Sequence, residues 1–462
     1  IPEKILTENN EIRSDKKLPV LLFIHGGAFV IGSGADVYIS GEEFNRNEVI
    51  LVSINYRVGV FGFIAIPELL TEDSNTENLG LLDQRLAISW VIENISHFGG
   101  DNKKISLFGE SAGAMSLTWH LAADESPTPS DGITLKDKIQ GMAIQSAANV
   151  PYIKCEEFHT QQKKVLSILG CDDFVGSKYI ECLRELDFQV FIDKLPGFGS
   201  FRKVFWHMSV DEKISFMPCV GVQSSVFNQH PRDFAVSEIE KSEMNIIMGT
   251  TKDEGTLFSW MAFIFHSDLG YETVKAFIEF GFFDHDDDDD AKKIIERYVD
   301  STNFNALDVL GEIVNDAFFQ CGTLFFAEKL SDSYPNFYRY VFHHKPSSGI
   351  QTLGVYHAAE LPFVFGTAPG GRLFPEIFDK KKKILVQQVN RYWTNFAKYG
   401  SPMSPIASEN EGIADWPRFN IGKQATQILG FPIKTLESYK QETCDFWFSL
   451  YPSGIPYFGD GD

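Results

Sequence analysis

The feature that most constrains the fold of this chain is an alternation of short apolar runs with longer helical patterns. Six runs are rich in β-branched or aromatic residues and almost continuously apolar: LPVLLFIHG (18–26), EVILVSINYR (48–57), KISLFGES (104–111), GMAIQSA (141–147), MNIIMGTT (244–251) and FYRYVFHH (337–344). Such runs predict strands that are buried on both faces, as in a parallel sheet. Residues 81–95 and 112–123 have the pattern of helices. The alternation therefore predicts an α/β fold, with a mostly parallel central sheet flanked by helices.

The composition is that of a globular protein that does not bind a polyanion. The 462 residues are 44% hydrophobic, which is enough to bury a large core. The net charge is −22 and no stripe of basic residues is present, which argues against nucleic acid as a partner. The longest apolar runs, such as residues 20–32, are interrupted by glycine and are too short to span a bilayer, so we expect no transmembrane segment.

No sequence pattern predicts a bound metal ion. The run DHDDDDD at 284–290 consists of side chains that repel one another, and we expect a solvated loop there. The alternative is a calcium site, but the glycine and the distal glutamate of an EF-hand loop are absent. The six cysteines lack the paired spacing of a zinc site. Their number leaves open either two disulfides with two free thiols or six free thiols.

A candidate nucleophile lies in FGESAG (108–113), which has the pattern Gly-x-Ser-x-Gly. Ser111 follows a predicted strand and precedes a predicted helix rich in alanine. A nucleophile elbow requires this context, because the flanking glycines let the backbone turn sharply and lift the serine hydroxyl beside the helix N-terminus. A glycine-rich turn without chemistry is the alternative interpretation of the pattern alone.

A serine hydroxyl needs a base that takes its proton and an acid that orients the base. In an elbow of this kind the chain order is serine, acid, histidine. TTKDEG (250–255) follows the fifth predicted strand and offers Asp253 and Glu254. GVYHAAELPFVFG (354–366) follows the sixth predicted strand and offers His357. Five histidines lie beyond residue 254, so chain order alone does not select His357.

The loop HGGAF (25–29) is a candidate for oxyanion binding. It follows the first predicted strand and matches the HGGG-type motif, whose backbone N–H groups bind the oxyanion in esterases. Its small residues allow the backbone to approach a substrate carbonyl. HGG alone indicates only a tight turn, but its position upstream of the elbow agrees with the topological order that an oxyanion hole requires.

The block NLGLLDQRLAISWVIENISHFGGDNKKISLFGESAGA (78–114) resembles the type-B carboxylesterase and cholinesterase-like family, which has the α/β-hydrolase fold. The resemblance continues in chain order through INYRVGVFGF (54–63), GTTKDEGTLF (249–258), GVYHAAELPFVFG (354–366) and YWTNFAKYGSP (392–402). It spans roughly residues 18–450 and rests on several independent motifs. It implies a single α/β-hydrolase domain over residues 1–462, and a serine esterase that needs neither an organic cofactor nor a metal ion.

The resemblance implies a catalytic triad. Ser111 corresponds to the nucleophile, His357 to the general base and acid, and Glu254 to the acid that orients the histidine. The family uses the glutamate of KDEG, which selects Glu254 over Asp253. More than a hundred residues separate each member from the next, so only folding can bring the three together.

The same resemblance implies supporting roles for five further residues. Gly27, Ala28 and Ala112 correspond to the residues whose N–H groups bind the oxyanion. Glu110 and Ser146 correspond to positions that support the electrostatics of the triad. Ala28 stands where the HGGG motif has its third glycine. Because the donor is a backbone group, we expect its methyl group to be tolerated and to narrow the acyl pocket.

The resemblance also implies two disulfides. Cys171–Cys182 corresponds to the second bridge of the family, and Cys321–Cys444 to the third bridge of the cholinesterases. Cys155 and Cys219 are then expected to be free, buried thiols. Disulfides need an oxidising compartment, so we expect a secreted or extracellular protein. Asn94, in NIS (94–96), is formally a glycosylation acceptor, but the family packs this helix tightly and we expect it to be unoccupied.

The beginning of the chain departs from the family pattern. Ile1 lies near what resembles the end of the LNVYxP strand, and no signal-peptide pattern is present. We expect either that a leader was removed or that the N-terminus is missing. The first stretch of the family, with the tryptophan that binds choline in cholinesterases, is then absent. The sequence therefore carries no evidence on choline specificity.

Two other functions are compatible with parts of the pattern. A cholinesterase-like adhesion or binding protein usually lacks the serine or the histidine, whereas both are present here. A lipase-like esterase needs a lid, and no segment is identifiable as one. The sequence therefore favours an esterase that acts on a small-molecule ester, and it indicates neither the ester nor the oligomeric state.

Overall fold

One sheet of eight strands forms the centre of the described structure. The structure is a computed structural model and describes residues 16–124, 135, 137–149, 154–172, 176–195, 216–222, 225–237, 239, 241–265, 270–276, 278, 288–300, 304–347, 351–367 and 378–452. The strands are β1 (Leu18–Ile24), β2 (Ile50–Ile54), β3 (Gly100–Glu110), β4 (Gly141–Gln145), β5 (Asn245–Thr251), β6 (Phe337–Phe342), β7 (Thr426–Leu429) and β8 (Lys434–Leu436).

The strand order in the sheet is β2-β1-β3-β4-β5-β6-β7-β8. Every neighbouring pair is parallel except β7 and β8, which are antiparallel. Because parallel strands all end at the same side, the carboxyl ends of β1 to β7 form one edge of the sheet. In open α/β sheets, ligands bind at this edge.

Alternate residues of the strands pack into two hydrophobic cores, one on each face of the sheet. In β1, Val20, Leu22 and Ile24 belong to one core, whereas Leu21 and Phe23 belong to the other. Both faces are covered, so each position of a central strand needs an apolar side chain. This is the physical reason for the almost continuous apolar runs in the sequence.

Helices pack against both faces. They are α1 (Glu42–Arg46), α2 (Val60–Phe63), α3 (Leu79–Asn94), α4 (Ala112–Asp124), α5 (Cys155–Leu169), α6 (Ser177–Glu185), α7 (Phe188–Lys194), α8 (Pro231–Val236), α9 (Gly255–Phe265), α10 (Tyr271–Ala276), α11 (Asp288–Tyr298), α12 (Ala306–Val314), α13 (Cys321–Leu330), α14 (Leu361–Phe365), α15 (Lys380–Tyr399) and α16 (Gln441–Leu450). A π-helical turn, Asn315–Gln320, joins α12 to α13. Short 3₁₀ turns occur at Leu69–Thr71, Thr76–Asn78, Ile95–Phe98, Gln351–Leu353 and Ala407–Asn410. None of the described helices combines the length and the apolar composition that crossing a bilayer requires.

The predicted α/β class and its mostly parallel sheet are confirmed. All six predicted strands and both predicted helices are present in the described structure. Strands β7 and β8 were not predicted. They have four and three residues, and β8 is largely exposed, so neither shows the long apolar run of a buried strand.

The prediction that Cys155 and Cys219 are free thiols is wrong. Both are buried as expected, but they form a third disulfide across 64 residues of sequence. Cys155 N donates to Val220 O at 3.0 Å, which brings the two chain segments together. This contact is tertiary, so neither the cysteine spacing nor the two bridges implied by the family resemblance indicates it. The other pairs are bridged as predicted: Cys171–Cys182 and Cys321–Cys444.

The acidic run is only partly described, and its described part is not a loop. Residues 284–287 lie outside the described residues. Asp288, Asp289 and Asp290 form the first turn of α11, which corrects the expectation of a loop for this part. Carboxylates in the first turn interact favourably with the helix dipole, and this offsets part of their mutual repulsion.

Candidate active site

The predicted site residues follow strands of the parallel sheet. Gly27 and Ala28 follow β1, Ser111 follows β3, Glu254 follows β5 and His357 follows β6. These strands are connected through parallel pairs, so all five residues lie at the carboxyl edge of the sheet. The fold thereby gathers residues that are far apart in the sequence.

Ser111 occupies the turn between β3 and α4. Its φ angle of 57° lies in the left-handed region, which residues other than glycine rarely adopt. Its N–H donates to Gln145 O at 2.9 Å, and its C=O accepts from Met115 N at 2.8 Å. The backbone is therefore held to β4 on one side and to α4 on the other. This strained strand-to-helix turn has the form of a nucleophile elbow.

The HGG loop lies directly against the elbow. A Cβ atom on Gly26 would be 2.7 Å from Glu110 O, 2.8 Å from Glu110 Oε2 and 2.9 Å from Ser111 Cβ. Real Cβ atoms do not approach other atoms this closely, so only glycine fits. The candidate oxyanion loop and the candidate nucleophile are consequently in contact.

The candidate oxyanion donors come from the loop after β1 and from the start of α4. Gly27 and Ala28 have φ angles of 116° and 53°, and Ala112 is the first residue of α4. Within the described part of the chain, no backbone oxygen accepts a hydrogen bond from the N–H groups of these three residues. Free N–H groups at a helix N-terminus and in a left-handed loop can bind a negatively charged oxygen.

Backbone strain is concentrated at this edge of the sheet. Among the described residues, nine other than glycine have positive φ angles, and five of these belong to the candidate site: Ala28, Phe29, Ser111, Ser146 and Ala358. This conformation costs free energy and persists where the surrounding structure enforces it, most often at functional sites. Backbone geometry therefore marks the same place as the sequence motifs.

Glu254 is fully buried, and both of its carboxylate oxygens have partners. Oε1 accepts from Thr251 N at 2.6 Å, and Oε2 lies 2.6 Å from His357 Nδ1. The backbone N–H of Glu254 donates to Asn315 Oδ1 at 2.9 Å. A carboxylate held in this way keeps the imidazole in one orientation, with the proton on Nδ1.

The imidazole of His357 is enclosed by aromatic rings and carboxylates. The ring centroids of Phe258 and Phe319 lie 5.1 Å and 5.3 Å from its own centroid. Its Nε2 lies 3.1 Å from Glu110 Oε1, which is within ion-pair distance, but the ring N–H is not aligned for a hydrogen bond. Only 9% of the side chain is exposed. Water therefore screens these charges poorly.

The surrounding charges favour protonated His357. Burial alone would lower the pKa of the imidazole, but the charges of Glu110 and Glu254 and the hydrogen bond to Glu254 outweigh it and raise the pKa to about 9. Burial raises the pKa of the Glu110 carboxyl, and the neighbouring carboxylates of Glu360 and Glu254 raise it further, against the charge of His357. The site is thus arranged to stabilise an imidazolium ion.

Ser111 and His357 both adjoin Glu110 but are not hydrogen-bonded to each other. Within the described residues, Nε2 of His357 faces the carboxylate of Glu110. Catalytic hydrogen bonds are often long without substrate and tighten when it binds. The lack of a hydrogen bond between these two side chains is therefore compatible with a serine–histidine pair at the candidate site.

Comparisons with known proteins identify the family. The sequence model of the carboxylesterase family matches residues 4–447. The acetylcholinesterase of Bungarus fasciatus is 30% identical over 461 residues, which cover 95% of this chain and 70% of that protein. The chain belongs to the carboxylesterase family. It is accordingly a serine carboxylic-ester hydrolase, and the resemblance inferred from its motifs is confirmed.

Asp253, the other candidate acid of the esterase, is hydrogen-bonded to the backbone of the loop that carries the histidine. Asp253 Oδ2 accepts from Val355 N at 2.8 Å, and Asp253 N donates to Val355 O at 3.0 Å. Asp253 therefore fixes the loop that carries His357. Of the alternative histidines, His343 contacts a tyrosine instead: its Nε2 lies 3.2 Å from Tyr439 OH. His266 and His285 lie outside the described residues.

Ser146 directly follows β4 rather than lying within it, and among the described residues its hydroxyl makes no hydrogen bond that would support the predicted role. Its N–H donates to Gly249 O at 2.7 Å. The buried hydroxyl has no hydrogen-bond partner among the described residues. The supporting electrostatic role stays a prediction for both Ser146 and Glu110, and of the two only Glu110 is seen to lie beside His357 among the described contacts.

Sequence reasoning missed a third carboxylate at the site of the esterase. Glu360 is fully buried and accepts from Gln145 Nε2 at 3.1 Å. Trp393 Nε1 donates to Gln145 Oε1 at 3.0 Å, which orients the amide so that its NH₂ group faces Glu360. A glutamate within the otherwise apolar run AAELPFVF (358–365) is an unusual feature, and this signal could have identified Glu360.

The polar groups of the esterase at this edge suit proton transfer and oxyanion binding. They are an imidazole, three carboxylates and backbone N–H groups that have no backbone acceptor among the described residues. In enzymes, groups of these kinds take part in general acid–base catalysis and stabilise a negatively charged oxygen. Within the described ranges, no group of three His, Cys, Asp or Glu side chains is arranged to hold a metal ion.

Proposed function

We propose that this esterase cleaves small-molecule carboxylic esters through an acyl-enzyme on Ser111, with His357 as general base and acid and Glu254 as the orienting acid. The observation that carries the proposal is the 2.6 Å contact between His357 Nδ1 and Glu254 Oε2. This pair lies at the same edge of the sheet as the strained Ser111. Nucleophile, base and acid are the three roles that such chemistry needs.

Acylation begins when Ser111 Oγ attacks the carbonyl carbon of the ester. His357 Nε2 takes the hydroxyl proton while the new C–O bond forms, and Glu254 stabilises the imidazolium. When the tetrahedral intermediate collapses, the bond to the leaving oxygen breaks and the imidazolium protonates the departing alcohol. The acyl group then remains on Ser111 as an ester.

The negative charge of the tetrahedral intermediate lies on the former carbonyl oxygen. We assign its binding to the N–H groups of Gly27, Ala28 and Ala112. Each removed donor in such a hole typically costs about 10²–10³-fold in rate. Backbone donors cannot be removed by side-chain substitution, which fits the presence of Ala28 in place of glycine.

Deacylation repeats the same steps with water as the nucleophile. His357 takes a proton from water, the hydroxide attacks the acyl carbon, and Ser111 leaves with the proton returned by His357. The products are a carboxylic acid and free enzyme. The chemistry of this cycle is supplied by the chain's own residues.

We further propose that the esterase is one α/β-hydrolase domain that acts outside the cell. Three disulfides in the described residues favour an oxidising compartment. Asn94 Nδ2 donates to Trp90 O at 2.9 Å, so the nitrogen that a glycan would modify is engaged in the helix. We therefore expect Asn94 to be unmodified.

Two measurements test the triad. An organophosphate should inactivate the protein, and peptide mapping should locate the adduct on Ser111. Ser111→Ala should lose about 10⁶-fold in kcat on a p-nitrophenyl ester. The matched control is Ser106→Ala, a buried serine earlier in β3 whose hydroxyl has no partner among the described residues. An adduct on another residue, or activity that survives in Ser111→Ala, contradicts the proposal.

A further inference from the structure

The π-helical turn Asn315–Gln320 lies beside the proposed acid–histidine pair, and no sequence pattern singles out its residues. In an α-helix, side chains five residues apart point about 140° away from each other. In a π-helical turn the hydrogen bonds span five residues, so its first and last side chains come near one face. Such turns within α-helices are frequent at functional sites.

Both ends of the turn bind the loop that carries Glu254. Asn315 Oδ1 accepts from Glu254 N at 2.9 Å, and Gln320 Nε2 donates to Thr251 O at 2.7 Å. Thr251 N in turn donates to Glu254 Oε1 at 2.6 Å. The backbone and the carboxylate of Glu254 are thus both positioned from one turn. We call Asn315 and Gln320 the amide clamp.

The same turn also contacts the histidine. The ring centroid of Phe319 lies 5.3 Å from that of His357, and the two rings are tilted by 56°. A displacement of the turn would therefore move both the acid and the base, because close-packed groups transmit shifts to their neighbours.

Asp316 holds the turn to the C-terminal helix. Its carboxylate is 1% exposed and accepts from Lys440 Nζ at 2.9 Å and from Tyr298 OH at 3.1 Å. Asn315 Nδ2 donates to Asp316 Oδ1 at 3.1 Å, and this directs the amide oxygen of Asn315 towards Glu254. A buried network whose members all have partners is rigid.

Two further contacts hold the turn in place. Cys321, the residue after the turn, is disulfide-bonded to Cys444 of α16. Gly255 follows Glu254, and a Cβ atom on it would lie 1.9 Å from Gly311 O and 2.7 Å from Asn315 N. The backbone after Glu254 therefore touches the backbone of α12 and of the turn directly.

We propose that the amide clamp positions Glu254 for catalysis, so that Asn315 and Gln320 are positioning residues of the ester hydrolase. This proposal rests on the role of Glu254 as the orienting acid, proposed above. Neither side chain needs to contact substrate. Each acts through the 251–254 loop, whose geometry sets the hydrogen bond between Glu254 and His357.

The proposal predicts a particular loss of function when the clamp is weakened. A less well-positioned Glu254 stabilises the imidazolium of His357 less in the transition state, which lowers kcat. It also stabilises protonated His357 less in the free enzyme, so the pKa of His357 falls. The acidic limb of the pH profile of kcat/KM then moves to lower pH. Substrate contacts are unchanged, and KM should stay within about twofold.

Two variants test the clamp against one control. Asn315→Ala removes the acceptor for Glu254 N, and Gln320→Met removes the donor to Thr251 O at nearly constant volume. Gln320 Oε1 has no partner among the described residues, so Gln320→Met removes only one hydrogen bond and should fold. The control is Asn395→Ala, which deletes a buried amide bound to Pro402 O at 3.0 Å in α15.

We expect kcat to fall between about tenfold and a hundredfold in both clamp variants, a range typical of a misplaced catalytic group. The acidic limb should move to lower pH in both, although the charges of Glu110 and Glu360 still act on His357. Asn395→Ala should lose only thermal stability. An unchanged kcat, a fall in kcat with an unchanged acidic limb, or an equal fall in Asn395→Ala overturns the proposal. If Asn315→Ala does not fold, the kcat and the pH profile of Gln320→Met alone test the proposal.

Failure of the clamp is distinguishable from failure of the triad. If Ser111→Ala is inactive but the clamp variants keep the parent's kcat and pH profile, the triad stands and the clamp is wrong. If Ser111→Ala retains activity, the triad is wrong, and the positioning role of Asn315 and Gln320 falls with it.

Discussion

The nucleophile side and the acid–histidine side of the site are built in different ways. On the nucleophile side, Gly26 and Ser111 are held by backbone packing and by hydrogen bonds to the ends of neighbouring strands. On the acid–histidine side, Glu254 and His357 are held mainly by side chains from distant elements, such as Asn315. The first arrangement depends on the absence of side chains, and the second depends on particular polar ones.

This difference determines where the site should be sensitive to substitution. A site held by the backbone tolerates changes in surrounding side chains but not an added atom at a close approach. A site held by buried hydrogen bonds fails when one partner is removed, because the other is left unsatisfied or turns away. Substitutions on the two sides should therefore fail for different reasons.

Among substitutions that leave the proposed nucleophile in place, the largest effect is expected on the acid–histidine side, from Glu254→Gln. The change keeps the shape of the side chain but removes the charge that stabilises the imidazolium and holds its tautomer. We expect kcat to fall about 10⁴-fold, the size known for such a change in a serine triad. Steady-state kinetics on a p-nitrophenyl ester measures it.

Asp253→Asn is the matched control for Glu254→Gln. The neighbouring carboxylate accepts from Val355 N and does not bond to His357. An amide can still accept that hydrogen bond, so we expect kcat within about tenfold of the parent. If kcat falls further in Asp253→Asn than in Glu254→Gln, Asp253 rather than Glu254 is the acid that orients His357.

The sequence predicted the nucleophile side more completely than the acid–histidine side. The elbow around Ser111 and the loop at Gly27 depend on glycines and on strand ends, which are local features. Glu254 and His357 could be proposed from chain order only as members of a set, and family resemblance made the choice. Their geometry depends on contacts made only in the folded chain.

Other features had no sequence signal because they are products of tertiary structure. The Cys155–Cys219 bridge depends on a backbone contact between two distant segments. The π-helical turn differs from the α-helices on either side only in its hydrogen bonding. Glu360 is the exception, because a glutamate in an apolar run is visible in the sequence as unusual. The run does not indicate that its hydrogen-bond partner is Gln145.

The next effect is expected on the nucleophile side, from Gly26→Ala. The added Cβ atom would lie 2.8 Å from Glu110 Oε2 and 2.9 Å from Ser111 Cβ, so the elbow or the loop must shift. A displacement of the nucleophile by about 1 Å typically costs about 10²-fold, and we expect a fall in kcat of that size. The measurement is kcat of the folded variant, with folding checked by thermal unfolding.

Gly41→Ala is the control for the added methyl group. Its Cβ atom would lie 3.5 Å from the nearest atom, Leu51 Cβ, which is an ordinary van der Waals contact. We expect parent-like activity. If folded Gly26→Ala also keeps kcat within about threefold, the nucleophile side is less dependent on backbone packing than its geometry indicates.

The smallest effect is expected where the two sides meet, at Glu110, which adjoins both Ser111 and His357. Glu110→Gln removes a negative charge 3.1 Å from His357 Nε2, and that charge raises the pKa of the imidazole. The pKa of His357 should therefore fall, and the acidic limb of kcat/KM should move to lower pH by about one unit or more. A pH–rate profile from pH 5 to 10 measures the shift.

The same substitution changes how stability depends on pH, and the sign is fixed by the direction of the shift. The pKa of His357 is raised from its ordinary value of 6.5 to about 9 in the folded protein. Protonation of His357 thus stabilises the fold below about pH 6.5, and this contribution is lost as the pH rises towards 9. Glu110→Gln lowers the folded-state pKa, so thermal stability should fall less steeply between these values. If both the pH–rate profile and the pH dependence of stability match the parent, the charge of Glu110 does not act on His357. Glu110 would then contribute only to the structure of the elbow.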